Sequence, residues 1–202
     1  MKTARLRRRP ALTRRGFCLL GAAALAGCAI DPDRHAFPDI TYAHLPAFRL
    51  DVAQLEIHND YSSGDASDIA GEFPEPPARV AAQWAKDRLT AVGQRGQATY
   101  SVVSARATRT PLPRSQGVQA MLATDQSDRY DLDVKVTLEV GNPLLQRTGS
   151  VTAEASRSQT VAENMTLNQR EIVLFNLLDQ TMRDLNGQLE RLIPQYLEPF
   201  LR

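Results

Sequence analysis

Apolar and polar side chains alternate strictly along residues 130–140. The apolar set is Tyr130, Leu132, Val134, Val136, Leu138 and Val140, and the polar set is Asp131, Asp133, Lys135, Thr137 and Glu139. Because successive side chains of a strand point to opposite faces, this pattern predicts a strand with one buried and one solvated face, which is typical of an antiparallel sheet. Weaker alternation predicts two further strands, over residues 98–107 and 149–155.

The alternation near the start of the chain changes phase. The apolar positions are first Phe48, Leu50 and Val52, and then Ala53, Leu55 and Ile57. One extra residue in a strand produces such a shift, so residues 47–58 are predicted to form one bulged strand. Residues 59–76 are rich in Asn, Asp, Ser, Gly and Pro, which predicts a long loop.

Two segments have the spacing of amphipathic helices. The first is predicted to begin at Pro76-Pro77 and to end at Gly93 and Gly96, with an apolar stripe of Val80, Ala81, Trp84, Ala85, Leu89 and Val92. The second is predicted to begin with a capping box at Thr166 and Gln169 and to end at Pro194, with a stripe of Leu174, Leu178, Met182, Leu185, Leu189 and Leu192. We expect Trp84 to face the sheet as a core residue.

The predicted order is β-α-β-β-β-α. This order predicts an α+β fold, a two-layer sandwich in which both helices cover one face of a four-stranded, mostly antiparallel sheet. The other face is expected to meet solvent or a partner, and it carries Asp131, Asp133, Lys135, Thr137, Glu139, Thr152 and Glu154.

Charge divides the 202 residues into two parts. Residues 1–27 hold seven of the 24 basic residues and no acid, so 17 basic residues remain against 23 acidic ones in residues 28–202, a net charge of −6. The basic start is followed by ten apolar residues, 17–26, which are too few to span a bilayer but typical of a signal peptide. We therefore predict a signal peptide over 1–27, a lipidated N-terminus and tether over 28–46, and one periplasmic domain over 47–202.

The leader contains two finer motifs. Arg14 and Arg15, followed by Gly16-Phe17, resemble a twin-arginine export signal, with export through the general secretory channel as the alternative. Leu25-Ala26-Gly27-Cys28 resembles the bacterial lipobox, which predicts that Cys28 carries the lipid, with cleavage elsewhere or an uncleaved anchor as the alternatives. Ala29 after this cysteine indicates the outer membrane by the sorting rule that it resembles.

Residues with the chemistry of catalysis are sparse. Cys18 lies in the leader and Cys28 is the predicted lipid site, so no free thiol is expected in the domain. The histidines, His35, His44 and His58, do not have the spacing of metal ligands. Asp131 and Asp133 would lie about 7 Å apart on one strand face, a spacing that glycoside hydrolysis permits but that a solvated face explains more simply. We expect no enzyme activity, no cofactor and no metal. The −6 charge also argues against nucleic acid as a partner.

The alternating strand, the turn, the strand ending in Ala155-Ser156-Arg157, and then Asn164 and Glu171 before a long helix together resemble the lipopolysaccharide-assembly lipoprotein family. This resemblance extends from Tyr130 to Leu192. It implies a non-enzymatic outer-membrane lipoprotein that faces the periplasm and serves as an accessory or assembly subunit of an envelope complex, with a β-barrel protein as partner. The acidic strand face departs from a surface that would bind lipopolysaccharide, so no binding residues are transferred. The second hypothesis is an auxiliary lipoprotein of an ABC-type lipid transporter, and the third is a periplasmic enzyme.

Overall fold

A computed structural model describes residues 37–113, 126–142 and 146–202. The strands in these ranges are β1 (Phe48–Leu50), β2 (Gln54–Asn59), β3 (Leu89–Ala91), β4 (Gln97–Pro111), β5 (Gln126–Asn142) and β6 (Arg147–Ala162). The helices are α1 (Pro77–Arg88) and α2 (Leu167–Leu197), with short 3-10 turns at Ala70–Glu72 and Glu198–Phe200. The predicted signal peptide over 1–27, including Arg14 and Arg15, and the predicted lipid site Cys28 lie outside the described residues.

The main sheet has the order β2-β4-β5-β6. β5 runs antiparallel to β4 and to β6, whereas β2 runs parallel to β4. The alternation of residues 130–140 is confirmed, since all six apolar side chains of that strand are buried. Both helices pack on this buried side: Trp84 of α1 stacks on Tyr100 of β4, and α2 buries a stripe of leucines. The structure therefore confirms an α+β sandwich with two helices on one face of a mostly antiparallel sheet.

The prediction of one bulged strand over residues 47–58 is wrong. The segment forms two strands that join different sheets: β1 pairs in parallel with β3 in a separate two-stranded sheet, whereas β2 joins the main sheet. Val52, between them, is fully buried, and its N–H lies 2.8 Å from the Leu50 carbonyl oxygen in a tight turn. The change of phase in the sequence therefore marks a passage through the core from one sheet to the other.

Both helix ends differ from the prediction. α1 ends at Arg88, because Leu89 is already extended and pairs with Phe48 of β1, so Leu89 belongs to β3 and Val92 follows that strand. α2 does not end at Pro194 but continues to Leu197. Ile193 and Leu197 are both fully buried. Their burial, worth about 1.5–3 kcal/mol for each side chain, offsets the cost of about 3 kcal/mol for an interior proline.

The start of α2 is confirmed. The backbone N–H of Gln169 donates to the Thr166 hydroxyl, and the backbone N–H of Thr166 donates to the Gln169 side chain at 2.9 Å, as in a capping box. The three long strands extend beyond their predicted limits on both sides. β4 also contains a bulge that was not predicted: Val102 pairs with Val136 and Ser104 with Lys135, so Val103 has no partner in β5 and is 46% exposed.

The predicted tether over 28–46 is corrected for residues 37–46, which pack on the domain. Phe37 stacks on Phe175 of α2 with ring centroids 4.9 Å apart, and Tyr42 is buried. The backbone N–H of Tyr42 and the hydroxyl of Thr41 both donate to the Asp87 carboxylate of α1, at 2.7 and 2.8 Å. These hydrogen bonds hold the pKa of Asp87 below its usual value against the opposing effect of its partial burial. This segment is therefore part of the folded domain.

Candidate functional site

Among the described residues, both helices lie on one face of the main sheet and leave the other uncovered, and this outer face is the candidate functional surface. In the paired registers of β4, β5 and β6, the residues that point away from the helices include Thr99, Ser101, Ser104, Arg106, Asp131, Asp133, Lys135, Thr137, Glu139, Ser150, Thr152, Glu154, Ser156 and Ser158, together with Val103 at the bulge. Hydroxyl side chains therefore dominate the two flanking strands, and charged side chains dominate the central strand. Among the described residues, none of the large side chains that reach full burial belongs to this face.

The side chains of the outer face bond to one another across the strands. Lys135 Nζ lies 3.2 Å from a carboxylate oxygen of Glu154 in β6, and the hydroxyls of Thr137 and Thr152 lie 3.3 Å apart. Such cross-strand pairs fix the side chains in place, each worth about 0.2–1 kcal/mol. These contacts form within the domain itself, so they restrict the paired side chains before any partner binds.

Asp131 and Asp133, which the spacing singled out as a carboxylate pair, take separate partners. Asp131 accepts hydrogen bonds from Arg129 at 3.0 Å and from the Ser158 hydroxyl. Partial burial raises the pKa of Asp133, and the neighbouring Glu154 carboxylate raises it further. A raised pKa suits a general acid, but Asp133 lies on an open strand face, and its neighbours account for the shift.

A cleft of about 1080 Å³ lies at the end of the outer face where β4 and β6 begin. Its polar lining includes Gln54, Gln97, Thr99, Glu139, Asn142 and Arg147. The Asn142 amide oxygen is buried there and has no hydrogen-bond partner in the part of the chain that the structure describes. The cleft was not predicted, because its lining comes from four strand ends that only the sheet register brings together.

The edge of the sheet along β6 is partly closed by α2. The side-chain amide of Gln188 donates to the Glu154 carbonyl oxygen at 2.7 Å and its oxygen accepts from the Glu154 N–H at 3.3 Å. Nearby, the Arg157 guanidinium pairs with Asp184 of the same helix. The helix side chains thus occupy the backbone groups that an added strand would use at this point.

Other residues singled out in the sequence have structural surroundings. Trp84 is fully buried and its indole N–H donates to Asn186 at 2.8 Å, as expected for a core residue. His58 lies exposed on β2, 3.1 Å from the Glu56 carboxylate. His44 lies on the docked N-terminal segment, and His35 lies outside the described residues. Within the described ranges, no three His, Cys, Asp or Glu side chains come together as a metal site would require.

Among the helices that the structure describes, none combines the length and the apolar character needed to cross a bilayer.

Comparison with known proteins finds structural likeness only, since no family model and no curated protein matches the chain. Rare lipoprotein B from Shewanella oneidensis is 10% identical, with a TM-score of 0.31, over 66% of this chain and 94% of that one. The minor lipoprotein from Acinetobacter baumannii is 15% identical, with a TM-score of 0.26, over 69% and 92%. A Xanthomonas campestris protein of family DUF330 is 11% identical, with a TM-score of 0.27, over 72% and 96%. No residue role is transferred from these proteins, and the proposals below rest on the residues of this chain.

Proposed function

We propose that this chain is a bacterial envelope lipoprotein, anchored through Cys28 to the periplasmic face of the outer membrane, and that it serves as a non-enzymatic accessory or assembly subunit of an envelope complex. The observation that carries the proposal of a binding role is the outer face. Its side chains are ordered by cross-strand pairs, and the two helices lie on the opposite side. The leader and the Leu25-Ala26-Gly27-Cys28 motif support the location.

The composition of the outer face favours a partner that associates with an already folded domain. Val103, at the bulge, is its one large exposed apolar side chain among the described residues. Obligate interfaces are much more apolar, whereas partners that associate with folded domains use polar surfaces with a few anchors. The fold therefore does not depend on this contact, and the chain is expected to fold alone and then bind.

The lipid anchor can be tested by membrane fractionation of two matched cysteine variants. Cys28→Ser removes the proposed lipid site and is expected to release the protein into the soluble periplasmic fraction, because two or three acyl chains provide the membrane affinity. Cys18→Ser changes the cysteine in the predicted signal peptide and is expected to stay membrane-bound. A Cys28→Ser protein that remains in the membrane would contradict the anchoring proposal.

The partner can be tested by photo-crosslinking from defined positions. A photoreactive residue at Val103 or Thr137 places the probe on the outer face, and one at Arg191 places it on the exposed side of α2. We expect crosslinks from the first two positions only. Recovery of a β-barrel protein would support an assembly role, whereas recovery of a substrate-binding protein and an ATPase would favour an auxiliary role in a lipid transporter. Crosslinks from Arg191 alone would refute the outer face as the docking surface.

A further inference from the structure

The docked N-terminal segment runs along α2 in a defined direction. Phe37 contacts Phe175, in the third turn of the helix. Further along the segment, Phe48 lies under the Arg88 guanidinium, which itself bonds to Glu190 near the other end of α2. The chain therefore travels from the start of α2 towards its end. Phe37, the first described residue, therefore lies beside the half of α2 in which the helix begins.

This direction limits where the proposed anchor can hold the domain. Cys28 precedes Phe37 by nine residues. A peptide of that length spans at most about 30 Å when fully extended. Leu167, the first residue of α2, lies about 12 Å from the level of Phe175 along the helix, whereas Tyr196 lies about 32 Å from that level. The level of Leu167 is therefore well within reach of a lipid at Cys28, whereas the level of Tyr196 is at the limit of that reach.

The same end has an apolar surface. Leu167 is 74% exposed, the largest exposure among the large apolar side chains of the described residues. Beside it, a cleft of about 490 Å³ is lined by Met165, Ile172 and Val173 together with neutral polar groups. Leucine and isoleucine side chains are stabilised when they are removed from water, so this surface favours an apolar neighbour.

The charge at this end is also compatible with a bilayer. The first turn of α2 contains no acidic residue, and its backbone amides are capped by the neutral side chains of Thr166 and Gln169. Arg170 and Glu171, which follow, cancel in formal charge. The free amides of a helix start also carry partial positive charge, which favours anionic headgroups. With Glu163 just before the cap, residues 163–172 carry a formal charge of −1, a small part of the −6 of residues 28–202.

We propose that the end of the domain formed by Leu167, Met165 and Ile172 rests on the surface of the bilayer that holds the Cys28 lipid. This inference rests on the proposed lipidation, and it goes further by fixing the orientation of the domain. α2 then points away from the membrane. The cleft lined by Gln54, Asn142 and Arg147 opens at the far end, and the outer face stands upright, accessible from the side.

Depth-dependent quenching of a fluorophore tests this orientation. The mature chain contains no cysteine other than Cys28, whose sulfur is blocked by the lipid, so single cysteines can be labelled at Leu167, Val103 and Tyr196. The lipidated protein is reconstituted into vesicles of phosphatidylethanolamine and phosphatidylglycerol that contain a nitroxide-labelled lipid. We expect loss of fluorescence at residue 167, with none at residues 103 and 196, because nitroxides quench only over short distances.

The outcomes separate this inference from the anchoring proposal. If Cys28→Ser releases the protein but the probe at residue 167 is quenched no more than the probe at residue 196, the anchor stands and the orientation is refuted. Quenching at residue 196 in place of 167 would reverse the orientation and refute it as well. A charged variant, Leu167→Glu, labelled at the neighbouring Asn168, is expected to lose quenching relative to the same label beside Leu167. This matched pair shows whether the apolar side chain makes the contact.

Discussion

The two faces of the main sheet are formed by the same strands but differ in the polarity of their side chains. On the face covered by the helices, rows of apolar side chains cross three strands, as in Tyr100, Leu138 and Val151, and they are almost completely buried. On the outer face, the adjacent rows hold hydroxyls and charges, as in Ser101, Thr137 and Thr152. Stability is therefore concentrated on one face, and the other face is free to carry function.

Buried and exposed charged residues differ in how much they contribute to stability. Arg88 is buried between the helices and the β1 segment, where its guanidinium bonds to Asn186 and Glu190 and lies over the rings of Phe48 and Trp84. Removing one partner of such a buried group is costly, because the other polar group is left unpaired. Lys135 and Glu154 on the outer face are exposed, so their pair contributes little. Substitutions can therefore separate stability from binding.

The largest expected effect is at the helix-covered face. Trp84→Ala removes a fully buried side chain, its stacking on Tyr100 and its hydrogen bond to Asn186, and we expect the free energy of unfolding to fall by about 3–5 kcal/mol in urea denaturation. Tyr196→Ala, at an exposed position on α2, is the matched control and is expected to change stability by less than about 0.5 kcal/mol. Similar losses for both variants would show that burial does not set the difference between the faces.

The second effect tests how closely α2 approaches the sheet. A Cβ at Gly149 would lie 2.8 Å from Leu197 Cδ2 and 3.0 Å from the Phe200 ring, so Gly149→Val must displace the end of α2 and is expected to cost about 1–3 kcal/mol. At Gly141 the nearest atom is 3.9 Å away, in Thr148, and Gly141→Ala is the control for added volume without a clash. Thermal unfolding of both variants measures the difference. Equal melting temperatures would indicate that the end of α2 can shift away from the sheet without loss of stability.

The strands were predictable where their pattern is local. The alternation of residues 130–140 reports the two faces directly, and the capping box at Thr166 and Gln169 lies within four residues. The break near Val52 was visible, but its meaning depends on partners far away in the chain: β1 pairs with residues 89–91, and Leu50 also bridges to Leu201 at the C-terminus. No local pattern distinguishes a bulge from such a change of sheet.

The packing of residues 37–46 on the domain was not predicted for the same reason, since it depends on residues far away in the chain. Its prolines and lack of periodicity are typical of a linker, yet the Tyr42 backbone is held by Asp87, 45 residues further along the chain. The outer face was identified as the wet side of a strand, whereas its bulge at Val103 and the cleft at its end depend on the register between strands. Export, lipidation and the partner stay predictions from the sequence, since Arg14, Arg15 and Cys28 lie outside the described residues.

A smaller effect is expected from a charge on the outer face. Burial and the Glu154 carboxylate raise the pKa of Asp133, so its ionised form is disfavoured in the folded protein. Well below pH 3.8, the ordinary pKa, Asp133 is protonated in both the folded and the unfolded protein, so it does not affect stability. As the pH rises through 3.8 towards the raised pKa, the unfolded protein ionises first and the folded protein loses stability. Asp133→Asn is therefore expected to gain up to about 0.5 kcal/mol at neutral pH, because Asp133 is partly exposed to solvent, and to gain nothing at pH 3.

Urea denaturation across this pH range measures the gain of Asp133→Asn. Asp131→Asn is the matched control on the same strand face, and it should lose stability, since its carboxylate accepts from Arg129 and Ser158. If Asp133→Asn lowers stability at neutral pH, the hydrogen bond between the Asp133 carboxylate and Ser104 outweighs the repulsion from Glu154.

The smallest expected effect on stability is also the sharpest test of the comparison between the faces. Replacing Thr137 and Thr152 together by Ala removes a cross-strand hydroxyl pair, and because both partners are lost and no buried group is left unpaired, we expect stability to change by less than about 0.5 kcal/mol. Recovery of the partner by the probe at Val103 is nevertheless expected to fall, since the polar contacts at the centre of the outer face are gone. The single variant Val136→Ala, on the buried face of β5, should do the reverse: it lowers stability and leaves recovery unchanged under conditions where the variant is folded. If the double variant keeps full recovery of the partner, the docking surface lies elsewhere on the domain.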